Sequence, residues 1–223
     1  MKKLFTLILA ASAMLSAGAQ KPTSANPVSN DPAAKKILDA VSSKFKTYKS
    51  PLAMFTYKIE NAQGKALSTK KGVVSMKGSK YKVSIPGMEI FSDGRTSWNY
   101  DKSANEVTIK DVDASAGELS PQKLFTNFYD KDFLYKLNGE KKEGGKVLQE
   151  IELTPTNKNR PYHKVYVWID KAAKTFYSAR ILEKSGNRYS YTVNTFKPTA
   201  ALSDAEFTFN KAKYPGVEVV DLR

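Results

Sequence analysis

Few residues of this 223-residue chain have side chains suited to catalysis. There is one histidine, His163, and no cysteine. A nucleophilic triad would need that single imidazole beside a nucleophile and an orienting carboxylate. A zinc site would need several His or Cys ligands at defined spacing. His163 follows Arg160, Pro161 and Tyr162 at the head of an alternating apolar stretch. That reads as a turn leading into a strand, with a structural or surface imidazole and not a catalytic one. No Gly-x-Ser-x-Gly elbow, phosphate-binding glycine loop or His-Glu-x-x-His helix occurs. Asp93 and Glu106 are carboxylates of the right type for acid–base work. Asp93, however, precedes Gly94 in a tight-turn pattern that already accounts for it. The chain is therefore expected to be no enzyme and to hold neither metal nor cofactor.

What the chain has in quantity is aromatic surface: 12 Tyr, 11 Phe and 2 Trp, which must either fill a core or line an apolar cavity. Composition does not separate the two. The net charge of +14 would suit nucleic acid, an anionic surface or acidic partners. The lysines are scattered, many at alternate strand positions, which reads as a solvated outer face.

The elements that must position the aromatics begin after an export signal. Lys2 and Lys3 precede an apolar run over residues 4–15, and Ala17-Gly18-Ala19 forms a small-x-small site. Cleavage is expected after Ala19, which places the protein in the periplasm of a Gram-negative bacterium, without nucleic acid as a partner. The run is too short to span a bilayer. Without cysteine, the chain is expected to carry neither disulfides nor a lipid anchor of its own. The remaining roughly 200 residues suit one domain. Residues 20–30 read as a disordered leader, and residues 31–223 as a single domain that is expected to be monomeric.

Asp31-Pro32 is a cap-plus-proline helix start. Ala34, Ile37, Leu38, Val41, Phe45 and Tyr48 then recur at helical spacing until Ser50-Pro51. From Phe55 onward the period becomes two. Strands are predicted near residues 55–59, 72–77, 81–85, 90–92, 95–100, 106–109, 133–137, 147–153, 164–169, 175–182, 188–196 and at Phe207-Thr208-Phe209. Asp93-Gly94 makes the clearest hairpin. Ser120-Pro121 starts a second short helix carrying Leu124, Phe125 and Phe128. The expected fold is mainly β with helices (α+β): an incomplete antiparallel β-barrel of about eleven strands with a helical lid over an apolar cavity.

Several segments, in order, are similar to those of the periplasmic outer-membrane lipoprotein carrier family, LolA. They are Phe55-Thr56-Tyr57, Gly72, the block Ser92-Asp93-Gly94-Arg95-Thr96-Ser97-Trp98-Asn99-Tyr100, and Ser120-Pro121 with Leu124. Ile151-Glu152-Leu153-Thr154-Pro155 and the ending from Phe207-Thr208-Phe209 to Tyr214-Pro215-Gly216-Val217-Glu218-Val219 complete the match. The resemblance implies an unclosed barrel with a helical lid. It also implies a non-enzymatic shuttle that takes acylated lipoproteins from an inner-membrane lipoprotein-releasing transporter to an outer-membrane acceptor. A different role for the same fold is a lipid-binding or envelope-stress-sensing domain that binds a protein partner. The cavity is expected to be lined by Phe55, Tyr57, Ile59, Val74, Met76, Val83 and Ile85, with Leu124, Phe125 and Phe128 on the lid. One departure stands out. Family members carry Lys-Arg-Pro after the third strand, and that arginine latches the lid. Here the stretch is Lys77-Gly78-Ser79, so Gly78 occupies the latch position and Lys77 or Lys80 is the available cation.

Overall fold

The computed structural model describes residues 30–112 and 129–223. The expected signal segment, the expected leader up to Ser29 and the expected lid residues Leu124, Phe125 and Phe128 lie outside these. The helix α1 spans Pro32–Lys46. Asp31 caps it by accepting from the Ala33 N–H at 2.8 Å, with Pro32 at the first helical position. Ala34, Leu38 and Val41 form its buried face.

Six strands follow: β1 (Leu52–Glu60), β2 (Ala66–Lys77), β3 (Lys80–Ile85), β4 (Met88–Ser92), β5 (Thr96–Asp101) and β6 (Glu106–Asp111). A short helix, α2 (Tyr129–Asp132), leads into β7 (Phe133–Glu143), β8 (Lys146–Pro155), β9 (Tyr162–Asp170), β10 (Thr175–Glu183) and β11 (Arg188–Lys197). The chain finishes on β12 (Glu218–Asp221). All twelve belong to one open, curled sheet in the order β12-β6-β5-β4-β3-β2-β1-β11-β10-β9-β8-β7. Every strand pairing is antiparallel except β12 on β6. The expected mainly β, incomplete barrel is therefore observed.

Two details differ from the sequence reading. Phe207-Thr208-Phe209 is not a strand. Ser203 and Glu206 form a reciprocal capping box that winds Asp204–Phe207 into a 3₁₀ turn instead. The last strand lies further on, at Glu218–Asp221, where it pairs parallel to β6, a contact between segments about 110 residues apart.

Strand pairing fixes two faces. Directly opposed residues share a side, and neighbours along a strand alternate. On the inner face, α1 packs Ala34, Leu38 and Val41 onto Tyr135, Ile151, Leu153, Val165, Val167 and Ile169. On the outer face of β4–β6, the C-terminal segment lays Phe209, Tyr214 and Val217 over Trp98, Tyr100 and Val107. The Tyr214 hydroxyl donates to Glu89 at 2.6 Å. The sheet thus has a helix on one side and an irregular C-terminal strap on the other. Edge strand β7 is protected by the cap of α1. Leu137 N–H donates to Asp31 Oδ2 at 2.9 Å, and Asp31 N–H donates to the Tyr135 carbonyl at 3.1 Å.

Candidate functional site

His163, Asp93 and Glu106, the candidates by side-chain type, do not converge. His163 is exposed on β9. Asp93 accepts from the Arg95 and Thr96 N–H groups, each at 2.8 Å, and so serves its turn. Glu106 is opposite Asp101, at the far end of β5 from that turn. Among the described residues no group of three or more His, Cys, Asp or Glu could hold a metal ion.

The apolar residues do converge. Phe55 and Tyr57 of β1, Val74 and Met76 of β2, and Val83 and Ile85 of β3 form one cluster. It is completed by Ala53, by Tyr81, by Tyr191, Val193 and Phe196 of β11, and by Phe45 from the last turn of α1. The register explains the meeting. Met76 opposes Tyr81, Val74 opposes Val83, Phe55 opposes Val193 and Tyr57 opposes Tyr191. Ile59 continues the row one step beyond Tyr57, beside Tyr189. The β1–β3 positions expected from alternation thus share the face covered by α1. Leu124, Phe125 and Phe128 fall outside the described residues.

This face is graded. Ala53, Phe55, Val74 and Met76 are buried, with Met76 1% exposed. Tyr57, Ile59, Val83, Ile85, Tyr189, Tyr191 and Val193 are only half-buried. The three tyrosines stack, Tyr57 on Tyr191 at 4.9 Å and on Tyr189 at 6.1 Å. Burial, then the neighbouring phenols Tyr191 and Tyr189, pushes the Tyr57 hydroxyl far above its ordinary range, so it stays neutral. The result is an apolar strip bordered by the hydroxyls of Tyr57, Tyr189 and Tyr191, with the Glu183 carboxylate close enough to act on all three. Beside α1 a gap of about 20 Å³ lies between Val41, Phe45, Phe176, Val193 and Phe196. That is of the order of one water, so a chain-like ligand must displace side chains or the helix end.

Gly78 turns the chain between β2 and β3 with φ +58°, and a β-carbon there would meet nothing within 4 Å. The lysines around it are engaged with the C-terminal strap. Lys77 and Lys80 both pair with Asp204, each at 2.8 Å. Lys77, then Lys80, holds that carboxyl at about 2. The β11 residues of the cluster, Tyr191, Val193 and Phe196, lie outside the positions expected from the sequence. Tyr189, Tyr191 and Val193 alternate visibly there, but nothing local says that β11 lies beside β1.

A family profile described as "Outer membrane lipoprotein carrier protein LolA" matches residues 44–210. The chain belongs to the LolA family. The match covers β1 to β11 and the Asp204–Phe207 turn, so the whole apolar cluster lies inside it. The family is one of carriers, not enzymes. The chain is similar to an outer-membrane lipoprotein carrier protein of Cupriavidus necator, 26% identical over 159 residues, 69% of this chain and 72% of that protein. A carrier of the same description from Cupriavidus taiwanensis is 27% identical over 123 residues, 55% of this chain, and the matched region spans 56% of its length. In fold, the chain is similar to an uncharacterized conserved protein from Thermus thermophilus. Their TM-score is 0.58 at 15% identity, covering 85% of this chain and 99% of that one.

Proposed function

We propose that this protein is a periplasmic carrier that holds the acyl chains of lipoproteins against its inner face and ferries them from the inner to the outer membrane. The donor would be an inner-membrane lipoprotein-releasing transporter. The acceptor would lie at the outer membrane. The observation that carries the reading is the graded inner face. An apolar strip of Phe55, Val74 and Met76 continues into half-buried Val83, Ile85 and Val193, with Phe45 from the last turn of α1 packed against it. An acyl chain in water costs about 0.8 kcal/mol per CH₂, or on the order of 10 kcal/mol per chain. A carrier must offset most of that and still release its cargo. A strip covered by displaceable side chains suits reversible holding better than a rigid slot. Membership of the carrier family supports the same reading.

The test is release of a triacylated lipoprotein from inner-membrane vesicles into the soluble fraction, together with saturable binding of a fluorescent fatty acid. Absence of both would overturn the proposal.

A further inference from the structure

Tyr162 is the buried side chain whose polar atom lacks a hydrogen-bond partner among the described residues. It is 8% exposed and lies in the apolar cluster under α1, with its ring stacked on Phe133 at 6.3 Å and 13°. A buried hydroxyl without a partner destabilises a fold, because its hydration is lost and not replaced. Its retention therefore calls for an explanation.

The backbone places it there by a specific device. Along β9, Val165, Val167 and Ile169 face α1, and strict alternation would send His163 inward. The register slips instead: Lys164 opposes Leu182, while Tyr162 opposes Glu183. This irregularity leaves His163 exposed and turns Tyr162 into the core. Re-aiming a side chain is what bulges do beside binding sites.

The residue next to it in space is a cation. The Arg160 side chain is 15% exposed and pairs with Asp132 at 3.7 Å. A guanidinium carries five N–H donors in a planar fork, so it can serve a carboxylate and a further oxygen at once. Burial pushes the Tyr162 hydroxyl up, and Arg160, near enough to act on it through its charge and as a weak hydrogen-bond donor, pulls against that rise, although the contact falls short of full hydrogen-bond geometry. The loop is tied down, with Lys184 N–H on the Pro161 carbonyl and Thr156 N–H on the Asp132 carbonyl, both at 2.9 Å.

We infer that Arg160 and Tyr162 form a polar anchor for the oxygen-bearing head of an acyl chain, a carboxylate or ester carbonyl, whose hydrocarbon lies along the inner face. The inference rests on the carrier reading. The phenol would donate one hydrogen bond to the oxygen, and the guanidinium would supply the charge-assisted one. Such an anchor sets the direction in which a chain lies without tightening the hold on its hydrocarbon.

Three probes of equal chain length test it: palmitic acid, methyl palmitate and hexadecane, each titrated into the full chain. The wild type should bind both oxygenated probes more tightly than hexadecane. Tyr162→Phe should lose about tenfold on both oxygenated probes and nothing on hexadecane, since one good hydrogen bond is worth roughly that factor. Its melting temperature should equal or exceed the wild type's, because the hydroxyl removed had no partner in the fold. Arg160→Gln should weaken palmitic acid most if the natural head is a free carboxylate, and both oxygenated probes alike if it is an ester. Equal wild-type affinity for all three probes would overturn the anchor and leave the carrier reading standing. So would a Tyr162→Phe loss that extends to hexadecane. Failure of the wild type to bind any probe would overturn the carrier reading itself.

Discussion

The ring of Phe55 on β1 lies across Gly72 on β2: a β-carbon at residue 72 would sit 2.6 Å from the Phe55 Cζ. It would also come within 2.6 Å of the Ile85 side chain and 2.9 Å of the Ser84 carbonyl oxygen. The missing side chain is therefore part of the inner face, since it lets Phe55 and Ile85 meet over the strand.

Gly72→Ala should accordingly destabilise the fold by about 1–3 kcal/mol, as overpacking does. Urea denaturation measures it. Adding Phe55→Ala should cost less in the Gly72→Ala background than in the wild type, because the two share one clash. Full additivity would show that the ring does not occupy that space.

Val83 is half-buried on the inner face and Thr195 is exposed on the outer one. Val83→Asp should weaken fatty-acid probe binding at least tenfold, because a carboxylate among apolar neighbours costs several kcal/mol if it stays ionised. Thr195→Asp should leave binding unchanged. Paired titrations with melting curves separate loss of binding from loss of fold.

Asp31 has two tasks, capping α1 and accepting from Leu137 on the edge strand. Asp31→Ala should cost about 1–2 kcal/mol, at the upper end for a helix cap. Thermal unfolding reads this, and protection of the Leu137 amide from hydrogen exchange should fall with it. The Leu137 amide, then the helix-start amides, lowers the Asp31 carboxyl. Its contribution is therefore present above the ordinary Asp value and lost as the pH falls through the lowered one.

Asp204 should titrate near 2, against 3.8 for an ordinary aspartate, because Lys77 and Lys80 flank it. The pair of contacts tying the β2–β3 turn to the C-terminal strap persists above that pH and is lost on acidification through it. The carboxylate and both lysines are substantially exposed, so a salt concentration of about 1 M should move the value back toward 3.8. A carboxyl-carbon NMR titration at two ionic strengths reads both. Lys77→Ala alone should raise the value part of the way, which would show that the two lysines share the carboxylate.

Much of this protein is written in local patterns. Asp31-Pro32 and the 3.6-residue spacing from Ala34 to Phe45 specify α1. The period of two from Phe55 specifies strands. These are properties of neighbouring residues, so one chain displays them. Alternation groups Phe55, Tyr57 and Ile59, but a strand is symmetric with respect to its two faces. Only the arrival of Phe45 from α1 and of Tyr191 and Val193 from β11 decides that this group is inside. The pairing of β1 with β11 joins residues more than 120 positions apart, and that of β12 with β6 joins residues about 110 apart. No local propensity encodes such partners; the burial of whole faces selects them. The slip that turns Tyr162 inward and His163 outward exists only as a mismatch between β9 and β10. One strand read alone carries no trace of it, because register is a property of a pair.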